Sequence, residues 1–191
     1  MTALKRLCRC LKGRPRVVQC CPGPLRGVEV HVYVASDWAG CRKTRKSTNG
    51  GCLVVNGGCL RSWSTTQSVM ALSSGEAEYY AALKGASVAL GFQSMCRDLG
   101  DEVQIRLFID SAAAHGIIGR RGLGKVRHLE VGYLWLQQLV AEKRVVVQKV
   151  KGESNPADLG TKHLKLEDLD KHLTFLSCFP REGRSSAVPD I

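Results

Sequence analysis

The run SSGEAEYYAALKGASVALGFQSMCRDLG, residues 73–100, constrains the fold more than any other feature of the sequence. Small and apolar residues recur in it every three or four positions, the period of a helix with one packed face. Ser73 or Ser74 can cap its start and Gly100 can end it. Ahead of it come three strand-like stretches. GVEVHVYVAS from Gly27 alternates with period two, Cys52 to Val55 forms a second strand after a turn at Thr48–Gly51, and Leu60 to Ser64 forms a third beyond a tight connection at Asn56, Gly57 and Gly58. Behind it lie a buried strand, VQIRLFID from Val103, an amphipathic helix, HLEVGYLWLQQLVAEK from His128, a strand, RVVVQKV from Arg144, and a last short helix near Asn155 and Pro156. Three hairpin-linked strands followed by strand and helix alternation imply an α/β fold, a mixed sheet with helices on both faces.

At 191 residues the chain suits one domain plus a remainder. No apolar stretch reaches the roughly 18 residues of a membrane span before a charge interrupts it. The formal charge of +11 favours polyanionic partners, but Lys5, Arg6, Arg9, Lys12, Arg14, Arg16 and Arg26 put +7 of it into residues 1–27, which contain no acid. Within that segment Leu4, Leu7 and Leu11 are spaced for a short cationic helix, which also fits an organelle presequence, and Cys20–Pro24 reads as a linker. Nine cysteines at irregular spacing, with no secretory signal, point to free thiols in an intracellular, cytoplasmic or nuclear setting rather than to disulfides or zinc.

Acids at the ends of apolar strands are the first candidates for chemistry, because a carboxylate there must be solvated, paired or bound to metal. Asp37 follows the first strand and Asp110 the fourth; adjacent strands would bring them together, although each alone also reads as a loop starter or cap. Glu76 and Glu78 point about 200° apart on the long helix, so only one can face the sheet. Asp158 lies where a helix dipole favours an acid whatever its role. GRRGLGK at 119–125 nearly spells a P-loop, but Val126 replaces the required hydroxyl residue, and its cations read better as a basic loop. Trp38, Trp63 and Trp135 are assigned to packing.

Taken in order, SDWAG, SSGEAEYYAAL, LFIDSAAA, HLEVGYLWLQ and GESNPADLGTKHL resemble the ribonuclease H domain of copia-type retrotransposon polyproteins. The likeness covers roughly residues 28–164, and ALKRLCRCLKG upstream resembles the segment that joins that domain to a reverse transcriptase. It implies a basic connection remnant (1–27) and a ribonuclease H-like domain (28–164) with a five-stranded mixed sheet; Pro180, Gly183, Ser185, Ser186 and Pro189 mark residues 165–191 as a partly disordered tail, its final dozen residues poorly ordered. It also assigns the catalytic and metal-binding acids to Asp37, as the bridging ligand, and to Glu78, Asp110 and Asp158. Two Mg²⁺ or Mn²⁺ ions about 4 Å apart would serve hydrolysis of the RNA strand of an RNA/DNA hybrid. Ser73, Ser74 and Ser111 are candidates for 2′-hydroxyl contacts, and Lys125, Arg127 and His128 for phosphate contacts. The loop before the last acid offers Lys149, Lys151 and Glu153 in place of the histidine many relatives carry, a departure common in copia-type members. The expected partners are a hybrid and a reverse transcriptase domain, with no membrane and no small-molecule cofactor. An inactive nucleic-acid-binding module is the alternative reading, and an integrase or transposase is disfavoured because its last acid should lie far downstream.

Overall fold

The computed structural model describes residues 2–21, 23, 29–122, 124 and 131–183. The basic opening is helix α1 (Thr2–Gly13), and a short strand, β1 (Arg16–Gln19), follows it. The sheet proper begins with β2 (Glu29–Asp37), whose Val30, Val32 and Val34 are fully buried on one face. Next come β3 (Thr48–Val55) and β4 (Gly58–Thr66), joined by Asn56 and Gly57 at φ 51° and 80°. Two consecutive left-handed residues are what a two-residue hairpin turn demands. Helix α2 (Ser74–Asp98), strand β5 (Gln104–Ile109), helix α3 (Ala112–Ile118), helix α4 (Trp135–Ala141) and strand β6 (Val145–Lys149) complete the layers. Strand order is β4-β3-β2-β5-β6, antiparallel among the first three and parallel for β2-β5 and β5-β6. This is the five-stranded mixed sheet expected from the sequence.

Helix α2 lies close on the sheet because its inner face is nearly free of bulk: Ala77, Ala81, Ala82, Ala86 and Ala89 are all fully buried. A Cβ at Gly85 would stand 2.4 Å from Val34 Cγ1. Val32, Val34, Leu53, Ile105, Leu107 and Ile109 form the core beneath it. The opposite face carries a smaller core of Tyr33, Ala35, Cys52, Val54, Cys59, Ala157 and Leu176, with Tyr33 stacked on Phe108 at 4.6 Å.

Several local expectations are corrected. Thr48–Gly51 is strand rather than turn, because it pairs residue for residue with Asp37 to Val34; the chain reverses earlier, where Ala39 and Arg45 have φ 54° and 56°. The helix expected from His128 is a 3₁₀ turn at Val131–Leu134 running into α4, with residues 125–130 outside the described set. The last short helix is a single 3₁₀ segment, Pro156–Gly160, capped by Asn155. Helix α3, capped by Ser111, had no counterpart in the sequence reading. The segment after residue 164 forms α5 (Leu166–Phe175) and β7 (Cys178–Arg181), and β7 pairs antiparallel with β1. Its Ser177 hydroxyl donates to Gly57 O at 2.8 Å, which docks this small ribbon on the β3–β4 turn. Among the described residues no helix is long and apolar enough to cross a membrane.

Candidate active site

Glu78 is carried on the first turns of α2, whose start is capped by Ser73 and braced by Glu76. Ser73 Oγ accepts the Glu76 N–H at 3.2 Å, and Glu76 Oε2 accepts the Leu72 N–H at 3.0 Å. Glu76 is buried at the helix start, so Glu78 is the acid that reaches the strand ends. There its Oε1 accepts the Ser36 N–H at 3.0 Å. Burial, with the charge of Asp110 next in weight, pushes the Glu78 carboxyl up to about 8. Asp158 adds to the rise, while the Ser36 hydrogen bond and Lys162 oppose it. Three of the expected acids, Glu78, Asp110 and Asp158, thus converge at one end of the sheet.

Asp110 is held beside the β6 exit, where the Val150 N–H donates to Ile109 O at 2.9 Å and Gly152 faces Asp110 Oδ2. The Asp158 segment is fixed by Asn155, fully buried, whose Nδ2 donates to Val34 O at 2.9 Å while its Oδ1 accepts the Ala157 N–H. Close approach to β3 requires glycine on both sides, since a Cβ on Gly50 would stand 2.6 Å from Ala157 O and one on Gly160 3.0 Å from Gly50 Cα. Lys162, one helical turn past Asp158, places its ammonium 2.9 Å from that carboxylate. Burial opposes the Lys162 charge, but the Asp158 hydrogen bond and the charges of Asp158, Asp110 and Glu78 outweigh it and raise its pKa. The sequence reading missed Lys162; its i,i+4 spacing from Asp158 was the available signal.

Asp37 does not join the other three acids. Its Oδ1 accepts the backbone N–H of Thr48, its own register partner on β3, and its Oδ2 lies over Gly40, where a Cβ would collide with it. The carboxylate closes the β2–β3 loop. Of the other expected contacts, Ser73 and Ser111 spend their hydroxyls as caps of α2 and α3, and Ser74 is exposed. Lys125, Arg127 and His128 lie outside the described residues. Trp38 is a correction to the packing assignment: it is 56% exposed, with its indole N–H on Ala71 O.

This donor set does not fit a pair of divalent ions. One buried oxygen, Glu78 Oε2, lacks a hydrogen-bond partner, which would suit a cation, whereas Asp158 Oδ1 already lies 2.9 Å from the Lys162 ammonium. Against that, the pocket offers the charges of Asp110 and Asp158, already opposed by Lys162, and a Glu78 whose carboxyl burial and Asp110 push up. The decisive misfit is the Asp37 carboxylate, which is engaged by the Thr48 N–H and lies over Gly40 instead of joining the other acids. Among the described residues no group of three or more metal-ligating side chains is disposed to hold an ion.

The chain is 30% identical over 132 residues to the retrovirus-related Pol polyprotein from transposon TNT 1-94 of Nicotiana tabacum, a match covering 68% of this chain and 10% of that protein. It is 42% identical over 74 residues, 37% of this chain and 30% of the other, to an uncharacterized mitochondrial protein of Arabidopsis thaliana. The chain therefore spans about a tenth of the first relative and under a third of the second. No protein-family model matches the sequence. Among solved structures, the N-terminal RNase H domain of Rv2228c from Mycobacterium tuberculosis superposes with a TM-score of 0.51 at 15% identity, covering 78% of this chain and 98% of that one.

Proposed function

Because the chain belongs with the ribonuclease H domains of copia-type retrotransposon polyproteins, we propose that it is a hybrid-binding ribonuclease H-like module that does not hydrolyse RNA. The observation that carries this reading is the seat of Asp37: a carboxylate bonded to Thr48 and lying over Gly40 is unavailable to bridge two cations. Binding itself rests on charge. The formal +11 includes the exposed Lys5, Arg6, Arg9 and Lys12 of α1 and Arg42, Lys43 and Arg45 of the loop beyond β2. In the same reading Ser74, Lys125, Arg127 and His128 contribute contacts to the sugar-phosphate backbone. The upstream partner is a reverse transcriptase domain, and nine free thiols suit a reducing intracellular compartment.

One observation favours a second reading, a metal-dependent hydrolase of the RNA strand: the unpartnered buried Oε2 of Glu78. That reading requires Asp37 to leave Thr48. An anisotropy titration of the full chain with a labelled RNA/DNA hybrid and with duplex DNA, at rising salt and in Mg²⁺ or Mn²⁺, separates the two. The expected result is tighter binding to the hybrid, weakening steeply with salt, and intact RNA throughout. Fragmentation of the RNA overturns the proposal, and so does failure to bind the hybrid at low salt.

A further inference from the structure

The parallel register of β2 and β5 runs Val32 to Leu107 and Tyr33 to Phe108. Carried two residues further, it sets Ala35, not Asp37, level with Asp110. Side-chain alternation agrees, because Tyr33 and Ala35 line the smaller core with Phe108 packed against it, and Ala157, the neighbour of Asp158, lies in that core too. The next peptide N–H, that of Ser36, is the one bonded to Glu78. Residue 35 is therefore flanked by Asp110 on the adjacent strand, by the Ala157–Asp158 segment across the face, and by Glu78 one peptide away. Its side chain is a methyl group, 2% exposed, with no donor atom. Asp37 shares the parity but stands two residues, roughly 7 Å, beyond along the strand.

We infer that residue 35 is the position from which a carboxylate would complete the acidic pocket, and that alanine there is what leaves this chain without a two-ion centre. The inference rests on the non-hydrolytic reading and assigns its cause to one side chain. Asp37 is then a loop-closing residue, and Lys162 is the pocket's resident counter-charge.

The test is calorimetric titration of Mn²⁺ into the full-length wild type, Ala35→Asp, Ala35→Asn and the double variant Ala35→Asp/Asp37→Asn, with circular dichroism to check folding. Ala35→Asp is expected to bind Mn²⁺ at least tenfold more tightly than wild type, Ala35→Asn to match wild type, and the double variant to match Ala35→Asp. Equal affinity in Ala35→Asp and wild type overturns the inference. So does loss of the gain when Asp37→Asn is added, which would make residue 37 the ligand. An Ala35→Asp protein unfolded even in saturating Mn²⁺, beside a folded Ala35→Asn, counts against it equally, because an ion should relieve the added repulsion. Carboxyl titration of Glu78 by NMR gives a measurement that needs no change at residue 35: Asp110→Asn should lower its midpoint and Asp37→Asn should leave it in place, and a drop of equal size in both sinks the assignment. Wild-type protein that binds Mn²⁺ tightly and cuts a hybrid refutes the non-hydrolytic reading itself, an outcome distinct from failure at residue 35 alone.

Discussion

The Ser36 N–H donates to Glu78 Oε1 at 3.0 Å, fastening the long helix to the end of the central strand through an acid whose other oxygen has no partner. Burial and Asp110 raise this carboxyl to about 8 from an ordinary 4.5. The folded state therefore binds a proton more tightly than the unfolded chain. Its stabilising effect is full below about pH 4.5 and is lost as pH climbs to about 8. At about 1.4 kcal/mol per pH unit the swing amounts to a few kcal/mol. Melting curves across this range should show Glu78→Gln losing less stability with rising pH than wild type; parallel curves would contradict the assignment.

Lys162 is the second testable element. Lys162→Met leaves the buried Asp158 without its counter-ion, and the half-exposed ammonium limits the loss to about 1–2 kcal/mol. A lowered urea midpoint at unchanged m-value is expected. A variant as stable as wild type would show that the pair contributes nothing.

Asn155 ties the last acid to the central strand through Val34 O. Asn155→Ala strands that buried carbonyl and removes the cap on Ala157, at a cost of about 1–3 kcal/mol. Amide exchange should rise across residues 155–161 before it rises in β2; unchanged protection there would contradict the anchoring role.

Gly50 sets the spacing between β3 and the same segment. Gly50→Ala would push a methyl into Ala157 O and Thr161 Cγ2, so a loss of about 1–3 kcal/mol is expected. A thermal shift assay showing no loss would mean that the two backbones are not in close contact.

The architecture was legible because its signals are local: the Asn56–Gly57 turn, the small-residue face of α2, and the apolar run of β5 each state their element without help from the rest. The placement of Asp110 at the end of β5 and of Glu78 in the first turns of α2 follows from those same local signals. Asp37 misled. An acid closing a strand looks the same in sequence whether it faces a pocket or caps a loop, and the register that separates the two depends on pairing with β5, 75 residues away. The β1–β7 ribbon was hidden likewise, its partners lying at opposite ends of the chain. Residue type alone places Trp38 in a core, yet its side chain is exposed and its indole N–H donates to Ala71 O.

The fate of the RNA strand under single-turnover conditions decides the central claim most directly. With the full-length wild-type protein in excess over an end-labelled hybrid in Mg²⁺ and in Mn²⁺, the account requires uncut RNA at times when the hybrid is fully bound. Short fragments ending in 3′-hydroxyls, abolished by Asp110→Asn, would contradict it.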